Sequence, residues 1–286
     1  MTPATIPSAD TTGLTAADLS TFDRVGLAGL NRRAALLDRM ENKYIIAVTA
    51  LRRILSGLAS EFDVLAIDDE VVFNYETIYF DSDDLVAYRD HAQGKRKRFK
   101  IRSRRYVESD RCFFEVKLKG IRGRTIKERM EYPSSEHGTM TPDARAFLSA
   151  CFRDVYGTEF PHDVSPSLPM RYRRITLVGK RAAERVTVDF ALEFQRDDRS
   201  WLAAPPEFAI VEVKSERGRG VADGIVRRHG LRGTACSKYC IGLNVIQPNL
   251  RYNAFKAVLE TYFDWKPRRP PVFGEPPVAP AVRTIS

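Results

Sequence analysis

Glu-Val-Lys occurs twice in this chain, each time inside an apolar run: Phe113-Phe114-Glu115-Val116-Lys117-Leu118-Lys119 and Ala209-Ile210-Val211-Glu212-Val213-Lys214-Ser215-Glu216. Residues two apart on a strand share a face. Glu115, Lys117 and Lys119 therefore point one way, and Phe114, Val116 and Leu118 the other. Glu212, Lys214 and Glu216 repeat the arrangement. A strand face that carries both acid and base can take a metal ion or a polyanion. Taken alone, each run reads as the solvated face of an ordinary antiparallel strand, so the other strands decide.

The most basic stretch, Lys95 to Tyr106, has the same alternation. Arg98, Lys100, Arg102 and Arg104 share one face, with Phe99 and Ile101 on the other. The pattern recurs where Lys43 lies with Glu41 and Ile45, Lys127 with Thr125 and Arg129, Arg174 with Tyr172 and Thr176, and Arg185 with Thr187 and Asp189. If these faces converge in a barrel, roughly ten cations and four or more acids meet in its lumen. Such a charge is tolerable when a multiply charged anion and its metal neutralise it. Phosphate chains fit, because arginine forks bind phosphate oxygens bidentately and lysine adds point charge. Glutamates among them suit Mg²⁺ or Mn²⁺ bridging phosphate oxygens.

Bulk properties agree. The 286 residues carry a net charge of +9, which favours an anionic partner: nucleic acid, nucleotide, polyphosphate or acidic membrane. There are four cysteines and no CxxC pair, which points to a reducing cytoplasm. Cys236, Cys240 and His229 lack a fourth zinc ligand. No phosphate-binding GxxxxGK[ST] loop is present, and Gly218-Arg219-Gly220 lacks the third glycine of a GxGxxG turn. His91, His137, His162 and His229 are scattered, without triad partners. Tyr75, Tyr79 and Phe80 could stack bases, though core packing is the preferred reading. No signal peptide or apolar span of membrane length is visible.

These residues need strands to hold them. Residues 1–14 are expected to be disordered and 15–265 to form a single domain, followed by a flexible proline-rich tail over 266–286. Strands are expected near 41–48, 71–80, 98–106, 111–119, 124–132, 170–178, 184–190 and 208–216. Helices are expected over 50–59 behind a Thr49 cap, 83–92 behind Ser82, and 142–155 behind Thr141-Pro142. Two more should follow, over 237–245 and over 249–265 behind an Asn249 cap, while 218–233 reads as a loop or short helix. The fold class is α+β: an antiparallel barrel of about eight strands with flanking helices.

Glu41-x-Lys43-Tyr44, Tyr79-Phe80-Asp81 to Tyr88-Arg89, Lys100-x-Arg102 and Phe114-Glu115-x-Lys117 follow one another in an order that resembles a VTC domain. This is the polyphosphate polymerase domain of the vacuolar transporter chaperone complex, also found as stand-alone bacterial proteins. It is grouped with the triphosphate tunnel metalloenzymes and CYTH proteins. The resemblance runs on through Thr125-x-Lys127-x-Arg129, Tyr172-x-Arg174, Arg185-x-Thr187-x-Asp189, Glu212-Val213-Lys214 and Ser237-Lys238-Tyr239. It implies a basic tunnel in which Lys43, Arg89, Lys100, Arg102, Lys117, Lys127, Arg174, Arg185, Lys214 and Lys238 hold phosphates. Among these, Lys43, Arg102, Lys117, Lys127 and Arg174 would be catalytic. Glu212 would be the principal ligand for Mn²⁺ or Mg²⁺, and Glu115 and Asp189 would ligate metal or orient the cations. The implied partners are ATP and inorganic polyphosphate, with no specific nucleic acid. Rival readings are a triphosphatase in the same tunnel and a non-catalytic polyanion binder. Thr234-Ala235 departs from the family, where a second basic residue often stands, and Arg232 could substitute. The inositol-phosphate-sensing domain and membrane anchor of some members are not expected here, so export of a product would need a partner membrane protein.

Overall fold

A computed structural model describes residues 13–33, 40–120, 125–198, 200–263 and 265. The expected tail over 266–286 and residues 1–12 of the expected disordered N-terminus lie outside them. Leu14, assigned to that N-terminus, is fully buried.

The strands are β1 (Arg24–Val25), β2 (Met40–Ala47), β3 (Phe62–Leu65), β4 (Phe73–Asp81), β5 (Arg98–Tyr106), β6 (Arg111–Lys119), β7 (Thr125–Tyr132), β8 (Ser165–Gly179), β9 (Arg185–Asp197), β10 (Ser200–Ala203) and β11 (Phe208–Ser215). The α-helices are α1 (Leu27–Arg33), α2 (Val48–Leu58), α3 (Val86–Ala92), α4 (Pro142–Tyr156), α5 (Val221–Arg228), α6 (Lys238–Ile246) and α7 (Lys256–Tyr262). The fold class is α+β, as expected, with principal strands hydrogen-bonded in the order β2-β11-β9-β8-β4-β5-β6-β7. Short strands pair with parts of its long interior strands: β10 with β9, and β3 with β8 and, in parallel, with β1.

The chain clusters into two compact units, each assembled from separate segments. The first holds the described residues within 1–72, 175–191 and 206–232, and the second those within 73–174, 192–205 and 233–265. In the first, the buried side of α2 (Val48, Leu51, Ile54, Leu55, Leu58) joins a core with Tyr44, Ile46, Val186, Val188, Val211 and Val213. These strand residues alternate with Lys43, Arg185, Thr187 and Glu212, so the helix side takes the apolar face and leaves the charged face opposite.

In the second unit α4 plays the same part for β5 and β6. Thr141 Oγ1 accepts the Ala144 N–H at 3.2 Å, Pro142 opens the helix, and Gly157 closes it at φ 69°. Phe152 of α4 packs edge-on against Phe99 at 5.6 Å, and Phe147 against Phe114 at 6.4 Å. Each fully buried side chain of this size stabilises by about 1.5–3 kcal/mol. Phe99, Ile101, Phe114, Val116 and Leu118 are thereby buried, and the cations of β5 and β6 project from the other face.

Three helix starts differ from expectation. The chain enters α2 directly from β2, with the Val48 N–H on the Glu207 carbonyl at 2.7 Å, so Thr49 is not the cap. Ser82 Oγ accepts the Val86 N–H at 3.1 Å, but α3 begins only at Val86, leaving Asp83 and Asp84 ahead of its first turn. Asn249 caps nothing: a short 3-10 turn over Asn253–Phe255 leads into α7.

Asp81 ties α3 to α6. Its buried carboxylate accepts the N–H groups of Ser82 (2.8 Å), Ala87 (2.8 Å) and Tyr88 (3.0 Å), and the hydroxyl of Tyr239. Hydrogen bonds to charged groups contribute about 1.5–3 kcal/mol each, and bonds in one network are not additive. Asp81→Asn should therefore lower unfolding free energy by about 3 kcal/mol, read as a lower urea midpoint at unchanged slope.

Candidate functional site

The second unit builds its site around one buried acid. Glu115, on β6, is 2% exposed. Arg102 Nε donates to its Oε2 at 2.6 Å, Lys127 Nζ reaches Oε1 at 2.5 Å, and Arg104 Nη1 stands 3.9 Å from Oε2. The register explains the meeting. Arg102 lies directly opposite both Tyr79 and Glu115, and Lys127 opposite Lys117, one rung along from Glu115. Burial works to raise the Glu115 carboxyl, but the Arg102, Arg104 and Lys127 charges outweigh it and hold it well below the usual range. Glu115 is thus a fixed anion that aims cations.

A shelf of tyrosines carries the remaining cations. Tyr75 stacks on Tyr172 at 5.3 Å. The Arg174 guanidinium lies 4.9 Å from the Tyr75 ring centre, Arg104 5.7 Å from the same ring, and Lys238 Nζ 5.7 Å from that of Tyr172. Arg102 donates to Tyr79 Oη at 3.2 Å and lies 5.8 Å from its ring centre. Ser237 Oγ caps α6 by accepting the Cys240 N–H at 3.3 Å, which sets Lys238 at the first helical position. Cation–π contacts hold such groups without neutralising them.

In the first unit β2, β11 and β9 form rungs. Lys43, Glu212 and Thr187 make one, and Glu41, Lys214 and Arg185 the next. Glu212 contacts Lys43 Nζ at 3.1 Å and also Lys214, while Glu41 contacts Lys43. Asp189, on the same face of β9, is fully buried. Beneath them, buried Asp223 of α5 accepts from Tyr44 Oη (2.6 Å) and Asn42 Nδ2 (3.0 Å), the two neighbours of Lys43. Burial and Asp223 push the Tyr44 phenol up to about 12.

The expected residues thus fall into two groups, Lys43, Arg185, Asp189, Glu212 and Lys214 in one unit and Lys100, Arg102, Glu115, Lys117, Lys127, Arg174 and Lys238 in the other. Arg89 stands on α3 with its guanidinium on Asp84. Arg104 belongs to the Glu115 cluster but was outside the expected set. Its signal was the two-residue step from Arg102. Asp81 and Asp223 gave no comparable signal, because the tyrosines they hold, Tyr239 and Tyr44, are distant in sequence.

Among the described residues no group of three or more His, Cys, Asp or Glu side chains is placed to hold a metal ion. Glu41 and Glu212 nevertheless converge on one ammonium, Lys43 Nζ. Two carboxylates around a cation suit a hard divalent ion that draws its other ligands from phosphate and water, and do not suit an ion caged by protein alone. Glu115 and Glu212 both have each oxygen on a cation, but the Glu115 side chain is 2% exposed against 12% for Glu212, so Glu115 is the less accessible donor.

Burial pushes the Lys100 ammonium down to about 8, with Lys117 and Arg102 adding to the shift. Its charge is present below that value and lost above it. Tripolyphosphate affinity should therefore fall between about pH 7 and about pH 9, although the ligand itself gains charge over that interval. Burial also pushes the Lys127 ammonium down to about 7, so Lys100→Arg should remove only the upper part of the fall in calorimetric titrations at fixed ionic strength. Without anion the sign reverses: stability rises with pH between about 8 and about 10.4, where only the unfolded chain keeps the proton.

An antiparallel sheet with a helix-covered apolar face and a cation-rich opposite face, tempered by buried acids such as Glu115 and Asp189, defines a class of protein suited to phosphate compounds. The chain belongs to the VTC domain family, whose model matches residues 38–247. Comparison with curated protein sequences finds no significant match. Solved structures similar to it include a Hippeastrum protein named as an adenylyl cyclase with a dominant triphosphatase activity (13% identity over 72% of this chain and 96% of that one, TM-score 0.46). A Bacillus halodurans protein named as an adenylate cyclase is also similar (13% identity, 70% and 94% covered, TM-score 0.45), as is a Pyrococcus horikoshii protein (11%, 72% and 99%, TM-score 0.41). No helix among the described residues is long and apolar enough to cross a membrane.

Proposed function

We propose that this protein is a polyphosphate polymerase, transferring the γ-phosphoryl group of ATP onto a growing polyphosphate chain. The observation that carries the reading is the Glu115 cluster, in which one buried carboxylate orients Arg102 and Lys127 on a face that also presents Lys100, Arg104 and Lys117. Phosphoryl transfer needs alignment and charge stabilisation more than covalent help from the protein. A terminal oxygen of the acceptor chain attacks the γ-phosphorus, the bond from that phosphorus to the β–γ bridging oxygen breaks, and ADP leaves with the electron pair. The attacking oxygen is already ionised, so no base has to remove a proton.

In this reading the Arg102 fork holds equatorial phosphoryl oxygens while Lys100, Lys117 and Lys127 supply point charge. Arg174 and Lys238, seated on tyrosines, hold the flanking phosphates. Within the first unit, Lys43, Arg185 and Lys214 would bind phosphate. Glu212, with Glu41 beside it, would hold Mn²⁺ or Mg²⁺, which when bound neutralises phosphate oxygens. The triphosphatase reading needs a carboxylate to orient water. Glu115 is committed to three cations, and Glu216 lies exposed beyond the end of β11, so that role would fall to another acid of the site, such as Glu41 or Asp189.

The test is incubation of purified protein with ATP and Mn²⁺ and separation of the products by gel. Long polymer supports the polymerase, whereas phosphate release without polymer supports the triphosphatase. Lys117→Ala and Glu212→Ala should each reduce turnover severely, and full activity in both folded variants would refute the site.

A further inference from the structure

The cation row does not stop at the Glu115 cluster. Towards the open end of the β5–β6 hairpin, the rung past Arg102 and Glu115 is Lys100, Lys117 and Lys127, and the last rung is Arg98, Lys119 and Thr125. Like charges placed directly opposite one another on a sheet are destabilising, yet here they face each other on two successive rungs. Among the described residues, neither Arg98 nor Lys119 has a carboxylate partner: Arg98 Nη1 donates to the Lys95 carbonyl at 2.6 Å, and Lys119 Nζ to Thr125 Oγ1 at 3.3 Å.

The rest of the structure holds this repulsive pair together. Tyr156, at the end of α4, places its hydroxyl 2.8 Å from the Lys119 carbonyl and 3.3 Å from the Arg98 carbonyl, bridging the two strand ends. Its ring packs edge-on against Phe152, and Phe152 and Phe160 both pack against Phe99. Lys97 Nζ lies 5.4 Å from the Tyr156 ring centre, and Lys95, Arg96 and Lys97 are exposed. An aromatic cluster on one face thus fixes a cation pair on the other, and the basic row continues to the surface.

We propose that Arg98 and Lys119 form a landing site for linear inorganic polyphosphate, holding the part of the chain that lies beyond the phosphoryl groups bound at Arg102. The inference rests on the phosphate-handling reading above and adds a preference for long chains over triphosphate. Four residues of strand set Arg98 about 13 Å from Arg102, farther than a triphosphate seated at Arg102 extends. The facing positions past Arg102 (Arg98, Lys100, Lys117, Lys119, Thr125, Lys127) include no aromatic ring. Proteins that hold single-stranded nucleic acid use aromatic side chains as stacking platforms for the bases. A cationic track without such a platform fits a charged chain that has no bases.

The test compares the full-length protein with Arg98→Gln/Lys119→Gln in equilibrium binding of tripolyphosphate, long-chain polyphosphate and a single-stranded oligonucleotide. The backbone carbonyls that receive Tyr156 are kept in the variant, and circular dichroism checks its fold. Wild type should bind the long chain about tenfold more tightly than tripolyphosphate, and the variant should lose that advantage. Its salt slope for the long chain should also drop by about 1.4, for two released contacts at about 0.7 each. Equal long-chain affinity in variant and wild type, or an oligonucleotide bound as tightly as polyphosphate, would overturn the landing site while leaving the functional reading standing. If wild type binds none of the phosphate ligands, the functional reading fails first and the landing site with it.

Discussion

Glu115→Gln is expected to destabilise the protein by about 3–5 kcal/mol, the range for removing one partner of a buried ion cluster. Glutamine keeps the shape of the side chain and removes the charge. Arg102, Arg104 and Lys127 would then face one another with no anion between them. Replacement of a buried charge network by apolar groups can be neutral, but truncation of one member leaves the others uncompensated. Chemical denaturation should show the loss directly. Long-chain polyphosphate should restore more stability to the variant than to wild type, because it supplies the missing negative charge, and a ligand stabilises in proportion to its binding to the folded state. The pH dependence has a defined sign. The Glu115 carboxyl is held well below its ordinary value in the folded protein, so its contribution is complete above the unfolded-state value of about 4.3 and disappears as pH falls through the folded value. Glu115→Gln should flatten the wild-type loss of stability in that acid range. A variant as stable as wild type, with the same acid profile, would mean that the cluster does not carry the charge balance described.

The second large effect is catalytic. Arg102→Lys keeps a positive charge but loses the planar fork that meets Glu115 and Tyr79 together. If Arg102 stabilises the transferring phosphoryl group, kcat should fall about 10²–10³-fold, as for loss of one preorganised charge-stabilising donor. KM for ATP should change much less. A merely structural arginine gives another pattern, with reduced stability and near-normal kcat in the folded fraction. Arg102→Ala should be no better than Arg102→Lys in turnover and worse in stability, since it leaves part of the Glu115 charge unpaired. Steady-state kinetics on both variants, with unfolding curves beside them, separate the two roles.

Much of this arrangement is legible from alternation. Period-two patterning in Arg98 to Tyr106 and Phe113 to Lys119 is strong because one face must be apolar to meet α4 and the other must not. Thr141-Pro142 and Gly157 mark α4 because their local chemistry acts within one turn. The pattern failed where tertiary contacts replaced local signals. The run Phe62–Leu65 is buried at every position, so β3 shows no alternation and was not expected. Thr49 resembles a cap, but the Val48 N–H already has a carbonyl from Glu207, and the helix starts before a cap is needed. The cations of the site were visible, while the acids that set the framework were not equally so. Glu115 announces itself by lying between cations on an alternating strand. Asp81 and Asp223 do their work through Tyr239 and Tyr44, and no spacing rule connects residues so far apart in the chain.

The resemblance to the VTC family supplied the order of the motifs, and the register supplied what motifs alone could not. Opposed positions on β4, β5, β6 and β7 explain why Arg102, Glu115 and Lys127 meet, and why Lys100 and Lys117 sit side by side. Glu115, once a candidate metal ligand, is better understood as the anion that keeps the arginines apart and aimed.

The measurement that bears most directly on the function is the fate of a label placed on the γ-phosphorus of ATP, followed with purified protein, Mn²⁺ and a short polyphosphate primer. A polymerase puts the label into acid-stable chains that lengthen with time and leaves unlabelled ADP, and Arg102→Lys slows that incorporation. Label recovered entirely as free phosphate, with the primer unextended, would contradict the account.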